Sequence, residues 1–259
     1  MSAATQSSFT IDNIVYSRHI PLIEARKLSM FAQSALDTRL RPIEAVKAVR
    51  RLLANPEATQ EVFVILRAMR GRSGINLFRR FQKSAMGTRI LTEKRSLFAA
   101  LSDSAALAAL PAGSLGGTYH RFMASENLSP EGLVAPSQAS RGDDQVSDDV
   151  ALFRDRMRDM HDLTHTLTGY GRDPLGELCL LAFMYSHSGN MGMALIVLMG
   201  FSRLENKATR KAVIEAWRQG RNARWFTDMD WEAMLAQPLD ELRARFNIAA
   251  PTAYRAVMS

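Results

Sequence analysis

One stretch, RDMHDLTHTLTGYGRDPLGE from Arg158 to Glu177, limits how the rest of the chain can be arranged. Two of the five histidines, His161 and His165, stand four residues apart in it. On an α-helix that spacing places both imidazoles on one face, one above the other. Asp162 lies at the edge of the same face. Gly169 and Gly171 bracket Tyr170 and predict the helix end, because glycine is the usual residue just past a helix C-terminus. Asp173 followed by Pro174 predicts the next start, with aspartate as cap and proline at the first helical position. Glu177 then falls in the first turn of the second helix. So short a connection predicts antiparallel neighbours, a geometry that turns Glu177 back toward His165. Two imidazoles and two carboxylates converging from two helices make a candidate divalent-metal site with N and O ligands: His161, Asp162, His165 and Glu177. A His-x-x-x-His pair alone describes surface or core histidines equally well; the carboxylate returned by the turn favours the metal reading. Asp162 stands where the H-E-x-x-H zinc peptidases carry their glutamate base, and its shorter side chain weakens a peptidase reading.

Around this stretch the punctuation is helical. A polar tail is expected over residues 1–13 and a single all-helical domain over 14–259. Pro21 opens a helical pattern to about Leu40, and Pro42 and Pro56 read as first-turn prolines of two more helices. Gly71 and Gly74 mark a break. Ile75 to Thr92 is basic and amphipathic, with Arg79, Arg80, Lys83 and Arg89 against Leu77, Phe78, Phe81 and Met86. It suits an anionic bilayer or an ordinary surface helix. Ser96 to Leu110 predicts a buried helix, Gly116 to Asn127 a helix entered through a tight glycine turn, and Ser129 to Asp149 a long polar loop beside the metal motif. Residues 178–202 carry no formal charge, but Ser186-His187-Ser188-Gly189-Asn190 interrupts them. Each half is too short to span a bilayer, which needs about 20 apolar residues. Two buried helices are expected instead, with Met184, Met191, Met193 and Met199 lining either plain core or a cavity for a lipid tail. A helix from Asn206 to Arg224, a short one capped by Asp230 and a last one from Pro238 to about Asn247 complete the reading. Strand signals are almost absent, so the fold class is all-α.

The net charge of +7 suits an anionic partner. No aromatic RNA-binding motif, zinc-finger spacing or dominant basic block is present, which argues against nucleic acid and leaves a membrane surface or a generally basic exterior. Cys179 is the only cysteine and excludes an internal disulfide, in keeping with a reducing compartment. The first residues, MSAATQSSFTIDN, lack the arginines of a transit peptide and the apolar core of a secretory signal. Peripheral membrane association is the expectation, through the basic balance and the interrupted apolar run.

His161-Asp162-x-x-His165, eleven residues and then Glu177 resembles the HDxxH-x11-E signature of the coenzyme Q biosynthesis protein 4 family. Further likeness lies in Leu115 to Met123 (LGGTYHRFM), Leu128 to Glu131 (LSPE), Arg18 to Leu22, Trp217, Gly220, Ala223, Asp230-Trp231-Glu232 and Leu239 to Ile248. It covers most of the chain and leaves about Arg67 to Lys94 unplaced. The resemblance implies a role in ubiquinone biosynthesis on a polyprenylated aromatic ring acid. It also implies removal of the C1 carboxylate coupled to hydroxylation, a divalent ion usually taken as zinc, and association with other enzymes of the pathway. The location implied is peripheral on the inner membrane, facing the cytoplasm of a bacterium or the mitochondrial matrix of a eukaryote. Arg158, one turn before His161, is a candidate clamp for the anionic head group, with a salt-bridged arginine as the alternative. Arg156 also resembles the family pattern, but its helical phase points elsewhere. A lipid-binding scaffold with a structural metal and an HDxxH hydrolase stay open, as does a homodimer.

Overall fold

The computed structural model describes residues 38–55, 58–139 and 146–258, and the expected tail over 1–13, the pattern from Pro21 and Pro56 itself lie outside them. Among the described residues the fold is all-α, as expected. The helices are α1 (Pro42–Ala54), α2 (Thr59–Ala68), α3 (Ser73–Lys83), α4 (Ala85–Glu93), α5 (Leu97–Ser102), α6 (Ser104–Ala108), α7 (Leu115–Ser125), α8 (Val134–Ala139), α9 (Asp148–Thr168), α10 (Pro174–Ser188), α11 (Met191–Arg203), α12 (Lys207–Asn222), α13 (Trp231–Met234), α14 (Leu239–Phe246) and α15 (Thr252–Met258). A short 3-10 turn, Pro130–Leu133, precedes α8.

Helix α9 is the axis. Ser147 caps its start by accepting from the Val150 N–H, and Asp148 and Asp149 place negative charge at the positive end of its dipole. Gly169, at φ 81°, closes it in the left-handed conformation and donates its N–H to the His165 carbonyl. From Asp162 to Thr168 every residue is buried. The threonines tolerate this because their hydroxyls bond back to main-chain carbonyls: Thr164 to Met160, Thr166 to Asp162 and Thr168 to Thr164. Leu163 and Leu167 join Tyr119, Phe183, Phe226 and Trp231 in the main core.

An arginine is buried with that core. Arg156 is 1% exposed and meets Glu232 of α13 through two 2.8 Å bonds, with a third to the Met229 carbonyl. Arg95 extends the network to Glu232 and to Asp230, which caps α13. Burial alone would raise the Glu232 pKa, but the bonds and charge of Arg156 and the charge of Arg95 outweigh it and hold it below 4.5.

Helix α10 packs chiefly on α12 and much less on α9, so the pair expected to be neighbours shares only a small contact. At the α10–α12 crossing Gly220 lies against Phe183, and a Cβ there would stand 2.2 Å from the Phe183 carbonyl oxygen. The uncharged run divides at Gly189 and Asn190, as expected, but its two halves differ. Leu180, Ala182 and Phe183 of α10 are core. In α11 only Gly192 is fully buried; Leu195, Ile196 and Met199 pack on α1 and α2, and Met191 and Leu198 are 48% and 65% exposed.

Several expectations change. Ile75 to Thr92 divides at Ser84, and Ile75, Phe78 and Phe81 are buried against Phe153, so its apolar face belongs to the fold and not to lipid. Ser96 to Leu110 is two short helices, because Asp103 caps a new start; Leu97 and Leu101 of the first are core, and the second is exposed but for Leu107. The loop expected from Ser129 begins with Pro130–Leu133 and α8. Helix α15, missing from the sequence reading, follows Pro251.

Three outcomes are expected. Gly220→Ala should cost about 1–3 kcal/mol by overpacking, read as a lowered urea midpoint. Arg156→Ala should cost about 3 kcal/mol or more, since it strands the Glu232 carboxylate. Wild-type stability should fall as the pH drops below about 4.5, because the depressed folded pKa values of Glu232 and Asp230 contribute only above it, and Arg156→Ala should flatten that fall.

Candidate metal centre

Helical periodicity and the glycine turn bring three of the expected side chains together. His161 and His165, one turn apart on α9, have their Nε2 atoms 3.2 Å apart. Glu177 reaches back from the first turn of α10, with Oε2 3.7 Å from His161 Nε2 and Oε1 3.5 Å from His165 Nε2. Ligand bonds near 2.0–2.2 Å imply donor separations of roughly 3–3.5 Å around one ion, so these three atoms need little adjustment to share one.

The ring of His165 is fixed from behind. Its Nδ1 lies 3.0 Å from the Tyr170 carbonyl, an acceptor only, so Nδ1 carries the proton and donates. Nε2 is left with its lone pair toward His161 and Glu177. Phe122 of α7 stacks on the same imidazole at 5.8 Å. The pKa of His161 is pushed down, first by burial and then by the neighbouring His165, against the opposing charges of Glu177 and Asp162. Burial would raise that of Glu177, yet the two imidazoles and the Arg172 guanidinium beside it outweigh burial and hold the carboxyl below its ordinary value. Neutral imidazole and ionised carboxylate are the forms that ligate metals.

The turn is itself braced. Asp173 Oδ1 accepts from the N–H groups of Leu175 and Gly176, and its Oδ2 accepts from the Tyr254 hydroxyl of α15. The same hydroxyl accepts from the Gly171 N–H at 3.0 Å. The Tyr170 hydroxyl donates to Gln219 of α12.

Two expected site residues lie elsewhere. Asp162, expected as a fourth ligand, is outside the convergent group: one step along a helix turns a side chain by about 100°. It lines a narrow crevice with Leu101, Tyr119, Pro130, Leu133, Arg158 and Asp159. Arg158, expected as a head-group clamp, is 7% exposed and already bonded to Asp155 and Asp159. The cation at the group is Arg172, with Nε 3.7 Å from Glu177 Oε1 and a side chain 35% exposed. Sequence reasoning missed Arg172, Tyr254 and Phe122; the carboxylate placed five residues after Arg172 was the only local hint of the first.

An all-helical protein with a His-His-Glu centre between two capped helices is the class that fold and site define. The sequence matches the family described as Coenzyme Q (ubiquinone) biosynthesis protein Coq4 over residues 16–252. The chain belongs to that family and is a ubiquinone biosynthesis protein. It is similar to the mitochondrial ubiquinone biosynthesis protein COQ4 homolog of Danio rerio, at 29% identity over 93% of this chain and 83% of that one. The mitochondrial coq4 protein of Penicillium rubens is 26% identical over 99% of this chain and 86% of its own. A crystal structure of a Nostoc punctiforme protein shares the fold, with TM-score 0.60, 19% identity, 82% of this chain and all of that one covered.

Tyr254→Phe removes the acceptor for Gly171 and the donor to Asp173 without touching any of the three converging side chains. It should weaken binding of a divalent ion about tenfold or more while the helical content stays, as measured by metal titration and circular dichroism.

Proposed function

We propose that the chain binds one divalent ion, zinc, through His161, His165 and Glu177 and acts in ubiquinone biosynthesis on the C1 position of a polyprenylated aromatic ring acid, removing its carboxylate with hydroxylation. The observation that carries the reading is the convergence of three ligating atoms on one side of an ordered His165, together with membership of the family. When bound, the ion supplies Lewis-acid stabilisation of the negative charge that grows as the carbon–carboxylate bond breaks. The residues of the chain orient it: Tyr170 holds the His165 ring, and Tyr254 and Asp173 hold the turn that aims Glu177. Arg172 receives the anionic head group, since it is the partly exposed cation beside the ligands. Asp162, in the neighbouring crevice with Arg158 and Asp159, stays outside the ligand set. Replacing a ring carboxylate by hydroxyl is a two-electron oxidation, so an external oxidant is consumed; imidazole and carboxylate do not supply one.

The apolar surface of α11 supports a lipid tail as part of the substrate. A helix with this composition is ordinarily buried all round. Here Met191 and Leu198 stand exposed and their neighbours are half-covered. No helix among the described residues is long and apolar enough to cross a membrane. Peripheral binding at the membrane that holds the substrate agrees with both.

Metal analysis and lipid extraction with mass spectrometry test the reading together. Purified protein should carry one divalent ion per chain and a prenylated aromatic lipid. His165→Ala and Glu177→Gln should each lower metal affinity by at least about 100-fold, more than loss of a supporting contact costs. Arg172→Gln should keep the metal and lose affinity for an aromatic carboxylate. Full metal occupancy in both ligand variants would overturn the assignment.

A further inference from the structure

A second polar site lies away from the histidines. A cleft of about 560 Å³ opens between the C-terminal half of α3 and the segment joining α12 to α13. Asn76, Arg79, Arg80, Lys83 and Ser84 line one wall, and Trp225 and Asp228 the other. The Arg80 guanidinium lies 3.9 Å from the centre of the Trp225 ring. Three cations thus face one carboxylate. Two lining atoms are shielded from water without a hydrogen-bond partner, the Trp225 indole nitrogen and Asp228 Oδ1. Buried polar atoms are normally satisfied, so such a pair beside one cleft is unusual, and a ligand that draws the lining side chains apart can supply both partners. The indole N–H lacks an acceptor, whereas the carboxylate oxygen lacks a donor. Helix α4 begins at Ser84 on the rim and adds the positive end of its dipole.

We propose that this cleft binds a phosphate ester whose phosphate lies among Arg79, Arg80, Lys83 and the Trp225 N–H, and whose hydroxyl or ammonium group donates to Asp228. A bare inorganic anion meets the first requirement and not the second; a glycerol phosphate meets both, whether free or as the head of a phospholipid. The site is separate from the metal centre. Arg80 acts electrostatically on His187, ten residues beyond Glu177 on α10, and ten residues of helix span about 15 Å. The two sites have no residue in common.

The test is titration of the full chain, in EDTA, with glycerol 3-phosphate and separately with vesicles of phosphatidylglycerol in phosphatidylcholine, followed by isothermal titration calorimetry. Saturable binding is expected and should weaken about tenfold or more in the Arg79→Gln, Lys83→Gln double variant, with unchanged melting. Trp225→Phe should weaken it as well, which a general charge effect would not produce. Lys207→Gln with Lys211→Gln, at the far end of α12, removes the same charge and should leave binding intact. Response to the soluble ester assigns a soluble ligand, and response to the vesicles alone assigns a lipid headgroup. Binding that vanishes with EDTA, that falls equally in the Lys207, Lys211 variant, or that is absent for both probes overturns the proposal.

Discussion

The bond from His165 Nδ1 to the Tyr170 carbonyl is the contact on which the centre depends. It decides which ring nitrogen has a free lone pair, and it ties the last turn of α9 to the turn that leads into α10. A histidine side chain buried to 0% exposure cannot choose its tautomer by exchange with water; the fixed carbonyl chooses for it. Everything downstream follows the turn. Asp173 caps α10 and Tyr254 bridges Asp173 to Gly171, so Glu177 starts from a place set partly by α15, which is distant in sequence.

The same helix solves a second problem on another face. Arg156 is five residues before His161, which rotates it by about 140° from the imidazole pair. There it meets Glu232, 76 residues on, and fixes α9 against α13 deep in the protein. A hydrophobic replacement for such a pair is often no less stable, so the pair is weak evidence for stability and better evidence for register. An arginine fork on two carboxylate oxygens accepts one rotation of α9, and that rotation aims His161 and His165 at Glu177. With three hydroxyls bonded back along the helix, α9 carries its buried threonines through the core satisfied, while Arg156 Nε is left without a partner.

How much of this was legible depends on the range of the cause. Gly169, Asp173, Pro174 and Asp230 act on residues within one turn, and each ends or begins a helix where its chemistry predicted; Asn190 and Asn206 cap helices whose starts were read without that chemistry. His161, His165 and Glu177 were legible because helix period and one turn suffice to join them. Asp162 shows the limit of reading a motif as a unit: four adjacent letters of a signature need not face one way. Arg158 was placed on the right helix, but its partners Asp155 and Asp159 are equally close in sequence and claim it first. The Arg156–Glu232 pair and the Tyr254 brace were out of reach, since nothing local marks a partner 76 or 81 residues away. Helix α15 was missed for a related reason: seven residues give too little periodicity to stand against a loop.

Exposure across the centre is graded, and the grading has a chemical consequence. His165 is sealed in the core, whereas the His161 and Glu177 side chains are 34% and 32% exposed and Arg172 is 35%. A ligand set closed on all sides by protein suits a structural ion, while one with an open edge suits exchange of water for substrate. Here the open edge coincides with the cation, so an anion approaching the three donors meets Arg172 before it meets the buried ring. That order favours an anion entering from outside over a water molecule trapped within, while the buried side chains of Ala182 and Phe183 leave the interior of the bundle to packing.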